Sequence, residues 1–214
     1  MSLKFDPGAA ELTAREISTL KEMRTRCARR ILLSTSLAAS GHPGGSLSSL
    51  DMLLVAYGLL NHDPKNPRME DRDRMVESIG HISPGVYSVL AENGYFTEDD
   101  FLAGFRRTGS GFPGHVESIV PGVEWDTGNL GQGLSTAVGM AHAFKIQGKP
   151  LFRRRARNKK TKRTENPFKP IIQTAESFHL RALYYSVTDN NKITPPRPRS
   201  PTHISDQRQN NILA

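Results

Sequence analysis

What most restricts the folds open to this chain is a break in its pattern at Pro150. Before it, apolar residues recur at helical spacing between glycine-rich turns; after it the periodicity is gone. Residues 1–150 carry 15 Lys and Arg against 17 Asp and Glu, a net charge of −2, whereas 151–214 carry 14 against 4, a net +10. The overall charge of +8 therefore belongs to the second segment. Runs such as Arg153-Arg154-Arg155-Ala156-Arg157 and Pro195-Pro196-Arg197-Pro198-Arg199 cannot bury enough apolar surface to offset chain entropy. Disorder is expected across most of 151–214, with 180–187 the one stretch suited to a local helix. A core has to come from 1–150, a length at which a domain hides roughly 70% of its unfolded surface.

Within that first segment Ile17, Leu20, Met23, Cys27, Ile31 and Leu32 recur mostly three and four apart, predicting one amphipathic helix over 12–39 that ends near Gly41. Ser46 is expected to cap a second helix running through Leu60, apolar enough to be largely buried. Residues 74–78 suit a short strand, 86–93 a helix stopped by Gly94, and Thr97 with Asp100 a capping pair for the next helix. The Gly- and Pro-rich stretch 107–127 reads as loop, and 131–147 as a helix whose Ala137, Gly139, Ala141 and Ala143 permit close packing. Helices alternating with short strands and glycine turns indicate an α/β fold that is helix-rich over this length. The lone Cys27 excludes an intrachain disulfide framework and is expected to be a partly buried, inert thiol. With no apolar leader and no run of about 18 apolar residues, a soluble cytoplasmic protein without a membrane role is expected.

Four glycine-bearing motifs follow one another: Ser40-Gly41-His42-Pro43-Gly44-Gly45, Ser78-Ile79-Gly80-His81, Gly114-His115-Val116-Glu117, and Thr127-Gly128-Asn129-Leu130-Gly131-Gln132-Gly133. Glycine beside histidine lets backbone approach a ligand and leaves the imidazole clear of bulky neighbours. One such tripeptide is more often a turn; four in series point to a polar ligand site. His62, followed by Asp63-Pro64, and His142 fall outside the series and are expected at the surface.

In this order the motifs resemble the transketolase family, in the N-terminal part of its diphosphate-binding domain, from about residue 23 to 149. The same resemblance covers Phe105 to Ser110 and the run from Gly122 to Ser135, and Gly44-Gly45-Ser46 is nearer the split, two-gene members than the single-chain enzymes. It implies that 1–150 is an incomplete, helix-rich part of a doubly wound domain, ahead of the basic tail (151–214) whose composition points to disorder. It further implies thiamine diphosphate with Mg2+, and transfer of a two-carbon ketol unit from a ketose phosphate to an aldose phosphate. Carried over by position, His42 and His115 are catalytic, and His42, His81 and His115 all contact the sugar phosphate. His81, Gly128 and Leu130 hold the cofactor. An imidazole with an unperturbed pKa near 6.5 can give or take a proton near neutrality.

Departures from the family pattern are also present. Ile79 stands where a polar residue is usual, and Val116 and Asn129 replace prolines. After Lys149 the family continues into a strand ending Gly-Asp-Gly-Glu, with a later asparagine, which ligate the metal; this sequence has neither, and no metal ligand is assigned. A shifted reading frame after Pro150 would explain the break. The polypeptide is expected to be inactive alone, needing a C-terminal transketolase domain or subunit. The competing reading is a non-catalytic binding or regulatory fragment whose basic tail contacts nucleic acid or an acidic partner. Sparse aromatics around the basic cluster, only Phe152 and Phe168, weigh against a nucleic-acid role.

Overall fold

Helix formation begins where a capping box supplies the free amides. Thr13 Oγ1 accepts from the Glu16 amide at 3.2 Å, and the Glu16 carboxylate accepts from the Thr13 amide at 2.7 Å. From there α1 runs Ala14–Leu37 in the computed structural model, which describes residues 4–5 and 11–148 and the backbone of 172–173. Ile17, Met23, Cys27 and Ile31 are buried as the spacing predicts. Leu32, counted in the same stripe, is 53% exposed, because it is turned about 100° from Ile31 around the axis. Cys27 is fully buried, more deeply than expected; it donates to the Ser88 carbonyl, and burial pushes its thiol up to about 12, which disfavours the reactive thiolate.

Helix α2 spans Pro43–Leu59 and starts earlier than the sequence reading placed it. Pro43 takes the first turn, where a missing N–H costs nothing, and His42 is the N-cap residue. Ser46 is therefore no cap. It lies inside the helix, buried, and a Cβ added to Gly85 would sit 3.2 Å from its Cα, so its small size serves helix contact.

Helix α3, Ser83–Asn93, is the centre of the core: Val86, Tyr87, Val89 and Leu90 are fully buried, and α1 and α2 pack on it. Gly94 ends it in the left-handed region at φ 89°, as expected. Helix α4, Glu98–Gly104, begins at Thr97, whose Oγ1 accepts from the Asp100 amide at 3.1 Å. Its Phe101 joins Tyr87, Phe105 and Phe112 in a set of mostly edge-on ring contacts.

The remaining elements are β1 (Val76–Glu77), a 3₁₀ turn at Gly80–Ile82, α5 (Gln132–Ile146) and β2 (Ile172–Gln173). The two strands pair in parallel, Val76 with Ile172 and Glu77 with Gln173, and α5 contacts both. A parallel pair needs a crossover, and α5 lies between the strands in sequence. The described part is thus helix-rich with little sheet. On α5 the close approach comes from Gly133, where a Cβ would meet the Glu77 carbonyl oxygen at 2.7 Å. Ala137 is buried, but Gly139 and Ala143 are exposed, so they are not the packing surface the sequence suggested. No helix among the described residues is long and apolar enough to cross a membrane. Within the segment expected to be mostly disordered, 172–173 pair with β1; the rest of 151–214, with the local helix expected at 180–187, lies outside the described residues.

His62 also differs from expectation: it is only 8% exposed. The Asn61 amide donates to Asp73 Oδ2 at 2.7 Å and the Asp73 amide to the Asn61 carbonyl at 2.8 Å, which folds the loop inward. His62 Nε2 then lies 3.1 Å from the Tyr57 carbonyl, and Nδ1 3.0 Å from the Tyr95 hydroxyl, with the Tyr95 ring stacked on it. Burial lowers the imidazole to about 4. His142 is exposed, as expected.

Candidate functional site

Strand β1 delivers His81, and the chain around it is laid down as adjacent, hydrogen-bonded segments. The Val116 amide donates to the Gly80 carbonyl at 3.0 Å, and the Thr127 amide and hydroxyl donate to the Val116 carbonyl at 2.9 and 2.7 Å. The Gly131 amide donates to the Ser78 carbonyl at 3.1 Å, closing the platform. Glycine is required at position 80, because a Cβ there would lie 1.9 Å from Thr127 Oγ1 and 3.1 Å from His115 Cδ2. The second, third and fourth motifs are thereby joined by backbone hydrogen bonds.

The third motif is held from below as well. Ser83 Oγ donates to the Gly114 carbonyl at 2.7 Å, and the Tyr87 hydroxyl donates to the His115 carbonyl at 2.5 Å. Both donors come from α3, so the core fixes the loop while leaving the His115 side chain outward in an exposed residue. Val116, noted as a departure from the family pattern, is fully buried there.

The first motif approaches from α2. The rings of His42 and His81 meet edge-on with centroids 5.2 Å apart. His42 is exposed and His81 half-buried. Burial lowers the His81 pKa, and the nearby His42 and His115 imidazoles lower it further by disfavouring charge on its ring. The three imidazoles named from sequence are thus brought together in space. A Cβ on Gly45 would lie 3.8 Å from the His81 ring, so the first turn of α2 faces it.

Gly128 and Leu130 lie on the exposed loop between Thr127 and Gly131, Leu130 being 61% exposed. Helix α5 begins just beyond, at an N-cap glycine with φ 89° and no side-chain cap; α2 likewise lacks a side-chain cap. Two uncapped N-termini present free amides and a partial positive charge, which suit an anionic group. A Cβ on Gly44, Gly128 or Gly131 would meet nothing within 4 Å, so this rim is open backbone. These features fit an anionic group such as a diphosphate. Among the described residues no group of three or more His, Cys, Asp and Glu could hold a metal ion.

Sequence reasoning missed Tyr87, Ser83 and Thr127 as supports of the histidine loops. Ser83 and Tyr87 follow His81 by two and six residues in a run that is similar to the family, but nothing in that run assigns them to holding the third motif. The basic-tail reading falls outside the described residues.

Comparison with known proteins bears on the same stretch. The family described as "Transketolase, thiamine diphosphate binding domain" matches residues 25–159, reaching past Pro150. The chain is 49% identical over 110 residues to "Transketolase 2" of Vibrio vulnificus, covering 50% of this chain and 17% of that protein. It is 48% identical over 110 residues to "Transketolase 1" of Vibrio cholerae, covering 50% of this chain and 16% of that protein. Among solved structures, transketolase from Campylobacter jejuni aligns with a TM-score of 0.58 at 41% identity, over 61% of this chain and 21% of that one. Transketolase from Leishmania mexicana aligns at 0.55 and 37% identity, over 58% and 19%. The chain spans less than a fifth of the length of the curated relatives described.

Proposed function

Since the chain belongs to the transketolase family through its thiamine diphosphate-binding domain, we propose that residues 25–148 form one wall of a ketol-transfer site. The observation that carries this reading is the convergence of His42, His81 and His115 on one platform. Thiamine diphosphate would supply the electron sink when a carbon–carbon bond of the sugar breaks. The residues of this chain bind, orient and move protons. His81 and the open amides at the N-terminus of α5 would face the diphosphate, with Gly128 and Leu130 against the rings. Leu130, 61% exposed on this rim, is open to that contact.

His42 and His115 are the groups assigned to the substrate. Both are exposed, so each can hydrogen-bond the hydroxyls of a ketose or aldose phosphate and pass a proton to or from them. Burial and its two neighbours favour neutral His81, which leaves it an acceptor and a donor together. The parallel strand pair and its α5 crossover support membership in a doubly wound sheet, and the cytoplasm is the expected compartment.

Ketol transfer by the polypeptide alone is not expected. Mg2+ needs several fixed oxygens to clamp a diphosphate, and the sequence contains no Gly-Asp-Gly run to provide them. The remaining groups would come from a second transketolase domain or subunit. The test is titration of the full chain with thiamine diphosphate and Mg2+, followed through the imidazole resonances. Perturbation confined to His42, His81 and His115, with no turnover of xylulose 5-phosphate, is the expected result. Binding that perturbs only other histidines, or none, would overturn the site; turnover without a partner would overturn the need for one.

A further inference from the structure

Arg106 is one of two described non-glycine residues with a left-handed backbone, at φ 57°. Such a conformation persists only where the surroundings enforce it, and it concentrates at functional sites. Here the Arg106 amide donates to the Phe112 carbonyl at 2.9 Å, which turns the chain so that the side chain runs back between two other loops. On one side Arg106 Nη1 donates to Ser40 Oγ at 2.5 Å, two residues before His42. On the other the guanidinium lies flat against Gly114, one residue before His115: a Cβ there would meet Nε at 2.6 Å and both Cζ and Nη2 at 2.8 Å. Phe105 continues the contact, its ring 3.4 Å from where a Cβ of Gly41 would be.

We propose that Arg106 is a positioning residue that ties the Ser40–His42 loop to the Gly114–His115 loop and so sets the spacing of the imidazoles across the site. That these imidazoles serve ketol transfer rests on the function proposed above; the tie itself does not. Geometry favours an arginine over a lysine, because only a planar, rigid fork can lie against the bare Gly114 Cα and still reach Ser40. None of the salt bridges among the described residues involves Arg106; besides these two loops its guanidinium approaches the Phe105 ring, with Cζ 6.0 Å from the centroid. Its Nε is buried without a hydrogen-bond partner, a cost consistent with a group held for position.

The tie is tested on the full chain through His81, whose pKa is held down in part by the nearness of His42 and His115. Three variants are compared by NMR titration of the imidazoles, with thermal unfolding measured alongside. Arg106→Gln removes the fork. Gly114→Ala keeps the charge but displaces the fork with a methyl group. Ser40→Ala removes only the hydrogen bond at an exposed residue and leaves the core untouched. In all three the His81 midpoint is expected to rise by a few tenths of a unit, with weaker ring-to-ring contacts between His42 and His81. Buried His62 should be unmoved. A merely structural role would lower the unfolding temperature without shifting the His81 midpoint in the folded protein. An unchanged midpoint in folded Gly114→Ala or Ser40→Ala overturns the proposal. The coenzyme titration of the wild-type chain reports separately on the function, so the two can fail independently.

Discussion

Glu77 sits in β1 at 1% exposure, and its Oε1 has no hydrogen-bond partner among the described residues. A lone carboxylate in such a place is costly, so the group keeps its proton: burial, with a further push from Glu124, raises its pKa to about 8. The sign of the consequence follows from the unfolded chain, where a glutamate ionises near 4.5. A raised folded pKa gives stability that is complete below about 4.5 and lost as pH climbs towards 8. At about 1.4 kcal/mol per unit, the loss is on the order of 3 kcal/mol by pH 7. His62 acts in the opposite direction. Its pKa is lowered to about 4, so its share of stability is present above about 6.5 and lost as pH falls through 4. Replacing Glu77 by Gln is therefore expected to leave stability near pH 4.5 almost unchanged and to raise it at pH 8. Urea unfolding across that range checks this; a variant that parallels the wild type at every pH would show that Glu77 is not the titrating group.

Among the elements, α1, α3 and α4 are joined by ions as well as by apolar contact. Arg30 of α1 bonds Glu92 of α3 and, at 2.6 Å, Glu98 of α4, while Arg26 reaches Glu92 at 2.6 Å and Arg29 reaches Glu98 at 2.7 Å. The Arg30 and Glu92 side chains are only 10% and 9% exposed. Burial alone would raise the Glu92 carboxyl, but hydrogen bonds from Arg26 and Arg30 hold it below its ordinary range. Glu92→Gln leaves Arg30 with too little compensation and is expected to cost about 3 kcal/mol, whereas Arg30→Met with Glu92→Leu should recover most of it. Denaturant midpoints of the single and double variants decide the matter; a loss below about 0.5 kcal/mol in Glu92→Gln would place the pair with ordinary surface bridges. No sequence pattern announces this pairing, since its members lie 62 and 68 positions apart. What was legible was local: Thr97 before Asp100, Gly94 after a helix, and the buried stripe of α1 all act within a few residues. Ser46 was misread because Pro43 began the helix sooner, and His62 because its captor Tyr95 lies 33 positions away. The three histidine motifs were legible as a set, but the Tyr87 and Arg106 contacts that aim them were not.

At the scale of the molecule the described residues divide by how they are buried. Helix α3 hides nine of its residues and is covered by α1, α2 and α4, with Tyr87 and Phe101 at zero exposure. Helix α5 hides only Gly133 and Ala137, while Leu134, Val138 and Ile146 are 38%, 56% and 74% exposed. Among the described elements it packs chiefly on a two-residue parallel pair, too small a sheet to be stable by itself, with Arg74 over its Phe144 ring. Local opening costs least where few apolar contacts are lost, so α5 should open without the rest of the domain, whereas α3 can open only with it. Hydrogen exchange of the full chain should show α3 amides protected to the limit set by global unfolding, and α5 amides exchanging at least about a hundredfold faster, a gap of roughly 3 kcal/mol. The same measurement speaks to the site, because the N-terminus of α5 forms the rim proposed for the diphosphate. Thiamine diphosphate with Mg2+ should slow α5 exchange and leave α3 unchanged, since a ligand stabilises by the opening it prevents. Equal protection of α3 and α5 in the free chain would mean that contacts beyond the described residues already hold α5 in place, and a rim fixed in advance would gain nothing from the coenzyme.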